Sequence, residues 1–226
     1  MMEQAPIETV KPAIRMLSDA QIQAIHDSSL DILARTGIEM KSEAGREWLL
    51  DAGAHESGGR ITIPETMVMK AIASAPSRIL MHNRMGELSM PLEEGRVFFG
   101  SGSDCPFTMD PESGERRPAT TQDVQRLAHL VDGLDQLAFV MSMGTPSNVP
   151  ALDHYLHSFI AMIRGSVKPN VYTARDRSDM EEIYRIACAV AGSDQELRET
   201  PFRMRYAEPI SPLLVNSESG DKRRFW

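Results

Sequence analysis

Residues 97–121 read VFFGSGSDCPFTMDPESGERRPATT. Val97, Phe98 and Phe99 predict a short apolar strand that runs into Gly100-Ser101-Gly102-Ser103-Asp104. Asp110-Pro111 and Ser113-Gly114 are turn signals and predict a hairpin-like excursion. Thr120-Thr121-Gln122-Asp123 predicts a helix N-terminus, a threonine cap with an acid in the first turn. A strand that ends in small residues and one acid, shortly before a long helix, is how a β/α enzyme presents its first site-bearing loop.

Downstream the same rhythm repeats. A helix over 121–134 carries Val124, Leu127, Ala128, Val131 and Leu134 on one face. Residues 137–143 (LAFVMSM) form a continuous apolar run, as a strand buried on both faces requires. Its loop is 144–150, followed by a helix over 152–164, a strand over 168–173, a helix over 178–191, and a strand over 202–206. A last helix begins near Asp221. Alternation of this kind implies a parallel sheet with outer helices, satisfied equally by an open doubly wound sheet and by a closed barrel. No GxGxxG follows a strand and no GxxxxGK[ST] occurs, so neither dinucleotide nor phosphate-loop binding is expected.

Upstream, residues 1–16 are polar and punctuated by proline, and are expected to be a flexible tail. Residues 17–94 read as an α/β extension. Ser18 to Gln21 fits a capping box, Ile22, Ile25 and Leu33 lie at helical spacing, and Gly37 stops that helix. A second helix is capped by Ser42, residues 60–63 alternate as a strand, and Pro64 starts a third helix as its first residue. Residues 79–82 and 88–90 predict two more strands.

The 226 residues carry 24 basic and 32 acidic side chains, a net charge of −8 that argues against a nucleic-acid surface. No run approaches a membrane span and residues 1–12 lack a signal-peptide core. Two cysteines, Cys105 and Cys188, fit a reducing compartment, so a soluble cytoplasmic protein is expected. The 15 methionines fall mostly on apolar faces and read as core filler rather than metal ligands.

The order of several signatures resembles the trimethylamine methyltransferase family, the corrinoid-dependent methyltransferases of tertiary and quaternary amines that include a glycine betaine branch. They are Ile25-His26 and Ile32 to Gly37, Asp51-Ala52-Gly53-Ala54, Arg60 to Pro64, Ala75-Pro76, Gly100-Ser101-Gly102, Asp110…Gly114…Arg117, Thr120…Asp123, Lys168-Pro169 and Glu208 to Leu213. The resemblance implies the N-terminal half of a TIM (β/α)8 barrel, with residues 95–226 supplying its first four β/α units. It also implies transfer of a methyl group from a methylated amine to the Co(I) corrinoid of a separate partner protein, with no cofactor bound directly. The alternative is a truncated, non-catalytic remnant that binds a partner or a second copy through its unpaired strand edge.

A quaternary nitrogen has no proton to donate, so aromatic faces and carboxylates are what can hold it. Asp104 and Glu208, just past the first and fourth strands, Tyr172 and Tyr206 near the ends of the third and fourth, and Thr145 in the second loop are the substrate-binding candidates. They rest on position at strand C-terminal ends and on no catalytic motif. His154 and His157 lie one turn apart without a third ligand nearby, and read as a surface pair outside the sheet. Cys105 has no base placed beside it by sequence.

Overall fold

The computed structural model describes residues 14–93 and 95–215. The expected tail, up to residue 13, and the helix expected near Asp221 lie outside the described residues. In chain order the elements are α1 (Asp19–Arg35), β1 (Glu39–Met40), α2 (Glu43–Asp51), β2 (His55–Ser57), β3 (Arg60–Thr62), α3 (Glu65–Ser74), β4 (Ile79–His82) and β5 (Leu88–Leu92). Then follow β6 (Phe107–Met109), β7 (Arg116–Pro118), α4 (Thr121–Asp132), β8 (Val140–Met141), α5 (His154–Gly165), β9 (Asn170–Tyr172), α6 (Arg177–Ala191), α7 (Asp194–Glu199), β10 (Arg203–Arg205) and β11 (Leu214–Val215).

β8, β9 and β10 form one parallel sheet in sequential order, with Met141, Val171 and Met204 in register across it. Residues 97–105 run beside β8 and join it through parallel bridges from Gly100 to Phe139 and from Cys105 to Gly144. The pairing is completed by a side chain: the Met141 amide donates to Ser101 Oγ at 2.7 Å, and Ser101 Oγ donates to the Met141 carbonyl at 2.7 Å. Gly100 allows the approach, since a Cβ there would stand 2.3 Å from the Phe139 ring. Four parallel neighbours therefore follow one another in chain order, each crossover made by helix. Among the described residues none of the small sheets closes on itself.

The core lies between this sheet and its helices. Val124, Ala128 and Val131 of α4, Phe159 and Met162 of α5, and Ile183 and Ala187 of α6 pack with Val140, Tyr172 and Phe202. α4 starts where its sequence requires, with Thr120 and Asp123 making a reciprocal capping box. Arg117 on β7 closes on the Asp123 carboxylate with two bonds of 2.7 and 2.9 Å and reaches Asp110 at 3.1 Å, which pins the β6–β7 hairpin to the start of the helix. The Arg117 side-chain hydrogen bonds hold the Asp123 carboxyl well below its ordinary range.

At the opposite end of the strands Lys168 donates to the carbonyls of Val131, Leu134 and Leu137 at 2.7 to 2.8 Å, ending α4 as a cation should. Arg84, in the turn after β4, does the same for α5, with bonds to Ile163 and Ser166 carbonyls. The His82 amide donates to Pro201 and the Arg84 amide to Val167, so the β4–β5 hairpin is fastened under the sheet. The extension read from sequence is thus tied to the β/α part at its strand N-terminal ends.

Several sequence expectations shift. Residues 97–99 form no regular strand, and Val97 and Phe99 stay exposed; this side chain-completed pairing is too irregular for a ladder. Pro64 is the N-cap of α3 and not its first helical residue. The strand expected over 137–143 keeps regular pairing only at Val140–Met141. β1, β2, α7 and β11 were not anticipated; they are short, and β1 and β11 exist only because residues far apart in the chain pair.

Candidate functional site

The C-terminal ends of the four parallel segments converge on one group of side chains. Asp104 takes a left-handed backbone with φ 55°, costly for a residue with a Cβ. Its amide is held by the Ser142 carbonyl at 2.6 Å and the next amide, of Cys105, by Met143. Ser142 is locked in turn, its hydroxyl donating to the Gly144 carbonyl at 2.7 Å. The end of the first segment is therefore shaped by the end of β8, and the tight turn points the acid toward the neighbouring loop.

Thr173, just past β9, donates toward both carboxylate oxygens of Asp104 at 3.4 Å. Burial pushes the Asp104 carboxyl above its ordinary value of 3.8; the Thr173 hydrogen bond and the charge of His154 pull partly against it. Tyr206, just past β10, is anchored by its amide on the Tyr172 carbonyl at 2.8 Å, and its hydroxyl donates to Glu208 at 2.6 Å. That bond to Glu208 raises the Tyr206 phenol, and the charge of Asp104 adds to the effect. The exposed Tyr206 ring is therefore tethered to Glu208 through its hydroxyl and lies within reach of the Asp104 charge.

Thr145 enters this group through its backbone, its amide donating to the Cys105 carbonyl at 2.9 Å. Tyr172 does not join it. Its ring is buried on the helix side of the sheet, edge-on to Phe159 at 5.4 Å, with its hydroxyl accepting from Arg203 at 2.9 Å. Strand alternation explains this: Tyr172 and Val171 point to opposite faces, and Thr173 takes the site-side position. Cys105 is exposed, with a long contact from its sulfur to the Ser103 carbonyl at 3.8 Å.

Two members of the group were not anticipated. Thr173 was read as the last residue of the third strand, its hydroxyl carrying no motif, and the structure ends β9 one residue earlier. His154, read from sequence as half of a surface pair, opens α5 with Nδ1 2.5 Å from the Ala151 carbonyl, which orients the ring beside Tyr155. Only folding brings the start of α5 within electrostatic reach of Asp104. Among the described residues no three His, Cys, Asp or Glu side chains gather as a metal site. No helix among them is long and apolar enough to cross a membrane.

A cavity of ≈ 440 Å³ opens at the other end, lined by Phe98, Leu137, Asp132 and Lys168 among others. Its residues start the strands, and its lysine and aspartate are engaged in ending α4 and fixing the following turn. In parallel β/α folds that end serves stability.

Comparison with known proteins covers most of the chain. Residues 1–222 match the family model described as Trimethylamine methyltransferase (MTTB). The Trimethylamine methyltransferase MttB of Desulfitobacterium hafniense (strain DSM 10664 / DCB-2) is 28% identical over 205 residues, which cover 89% of this chain and 41% of that protein. The Glycine betaine methyltransferase of Desulfitobacterium hafniense (strain Y51) is 25% identical over 203 residues, 89% of this chain and 42% of that protein. The Trimethylamine methyltransferase MttB1 of Methanosarcina acetivorans is 23% identical over 216 residues, 90% and 42% respectively. The chain spans 41% to 42% of the length of these relatives.

Proposed function

Because the chain belongs to the trimethylamine methyltransferase family, we propose that it takes part in moving a methyl group from a tertiary or quaternary methylamine to the corrinoid of a partner protein. What supports this reading is the placement of Asp104 and Tyr206 just past the first and fourth parallel segments, at the strand C-terminal ends, with Glu208 hydrogen-bonded to Tyr206. Four parallel segments in chain order with outer helices fit the first four units of a TIM barrel, in which that end bears the site.

The chemistry follows from the substrate. A quaternary ammonium is a diffuse cation with no N–H to donate, so it is held by charge and by aromatic faces, each cation–π contact contributing about 0.5–2 kcal/mol; a protonated tertiary amine adds one N–H that a carboxylate can accept. Asp104 and Glu208 supply the charge and Tyr206 the ring. The hydrogen bond from Tyr206 to Glu208 tethers the end of the ring beside that carboxylate. Thr173 holds the Asp104 carboxylate from both oxygens, so the acid presents one orientation. Reduced cobalt on the partner would supply the electron pair for the new bond to the methyl carbon, the N–CH3 bonding pair leaving with the demethylated amine. What this chain contributes is alignment of the N–CH3 bond, and for a step of this kind alignment is the larger part of the rate.

The test mixes the 226-residue chain with a corrinoid protein reduced to Co(I) and follows visible absorption on adding trimethylamine, glycine betaine or carnitine. A methyl-dependent spectral change with one amine is the expected result. Binding of the corrinoid protein without any spectral change would instead support a non-catalytic binding role.

A further inference from the structure

Two stretches far apart in sequence, residues 60–64 and 208–213, meet in the fold. Arg60 donates from Nε to the Thr36 carbonyl at 3.0 Å, and from one terminal nitrogen to Gly37 at 2.9 Å and to Pro212 at 3.0 Å. Beside it the Glu39 amide donates to the Leu213 carbonyl and the Lys41 amide to Val215, both at 2.9 Å, which makes the parallel pair β1–β11. Ile210 and Leu214 exchange amide-to-carbonyl bonds of 2.8 and 2.7 Å, and Leu213 between them holds a left-handed φ of 65°. Such a backbone persists in a non-glycine residue only where its surroundings fix it.

The near end of the same loop is fixed by the Tyr206 amide on Tyr172. Glu208 therefore hangs in a span of three residues, 207–209, strung between an anchor on the sheet and an anchor on the N-terminal layer. We infer that Arg60 is a positioning residue for the ammonium site, the layer's clasp on 210–215 setting where Glu208 and Tyr206 stand relative to Asp104. This rests on the reading of that site as the amine-binding one. It gives the N-terminal layer a part in the site through the backbone it holds at Pro212, Leu213 and Val215.

The planar guanidinium reaches the Thr36 carbonyl from Nε and the Gly37 and Pro212 carbonyls from a second nitrogen, a fork that a lysine at this position, with its single nitrogen, reproduces only in part. Charge-assisted bonds of this sort are stronger than neutral ones, so their loss is visible in exchange. The experiment compares the unsubstituted chain with Arg60→Met, Arg60→Lys and the control Arg46→Met, which removes an ion pair to Glu56 in the same layer. Amide hydrogen exchange is read at Glu39, Lys41, Ile210 and Leu214, and the dissociation constant of tetramethylammonium by NMR titration. In Arg60→Met those amides exchange roughly tenfold faster and the dissociation constant rises about threefold or more, while α4 and α5 keep their protection. Arg60→Lys falls between, and Arg46→Met changes neither. Unchanged exchange in Arg60→Met, or faster exchange with unchanged affinity, overturns the inference. Absence of tetramethylammonium binding by the unsubstituted chain overturns the amine reading instead, and exchange alone then decides whether Arg60 clasps the loop.

Discussion

Asp104 is held in a conformation and an environment that both oppose it. Its φ of 55° suits asparagine better than most residues, and burial raises its carboxyl above the ordinary 3.8. A raised folded-state value means that the fold favours the protonated form: stability from this group is present at low pH and lost as pH rises through that value. At neutral pH the ionised carboxylate is therefore a cost, and Asp104→Asn should stabilise the chain by roughly 0.5–1 kcal/mol, read as a higher denaturant midpoint at pH 7. The same substitution should weaken tetramethylammonium binding by about tenfold. For the unsubstituted chain, affinity is full above the Asp104 value and falls as pH drops through it, beginning above pH 3.8. In Asp104→Asn that acid limb should flatten. A destabilised Asp104→Asn with unchanged affinity would place Asp104 in the architecture and not in the site.

α4 and α5 pack so closely that Gly165, the last residue of α5, leaves no room for a side chain: a Cβ there would lie 2.4 Å from the Gln125 carbonyl oxygen and 2.7 Å from Ala128 Cβ. Gly165→Ala must push the helices apart and should cost about 1–3 kcal/mol by chemical denaturation, although alanine is the better helix former. Lys168→Met leaves the carbonyls that end α4 without their cation and should cost about 2 kcal/mol. These elements differ in how far sequence revealed them. α1 and α4 were legible because their capping boxes are local, written in Ser18 with Gln21 and Thr120 with Asp123. The β6–β7 hairpin announced itself through its turn residues, and Asp110 indeed accepts from the Glu112 and Ser113 amides. Lys168-Pro169 was legible as a signature but not as a helix stop, because its three partners lie 31 to 37 residues away. Tyr172 was placed on the right strand, but three regular residues are too few for sequence to say which face it takes. His154 and Arg60 illustrate the remaining limit: their partners are set by how elements dock, and no spacing encodes that.

At the scale of the whole molecule the parallel sheet has two unlike faces. One carries Val140, Tyr172 and Phe202 into the helix-side core. The other presents the cross-strand row Met141, Val171 and Met204, in which Val171 is buried and both methionines are partly buried. α4 and α5 pack on the core side, where apolar burial contributes about 25 cal/mol per Å², so the methionine row adds little to the stability of this chain. In a barrel such a row becomes one of the stacked interior layers; on an open sheet it is apolar surface available to dye or to another copy. Met141→Ser combined with Met204→Ser should therefore at least halve the fluorescence of a bound hydrophobic dye and reduce concentration-dependent association in light scattering. The denaturation midpoint should move by less than about 1 kcal/mol-equivalent, since the substituted positions are not in the helix-side core. A large loss of stability in the double variant would show that this face is packed in the free chain. In that event the sheet's open form, and with it the half-barrel proposal, would give way to a closed two-sided domain.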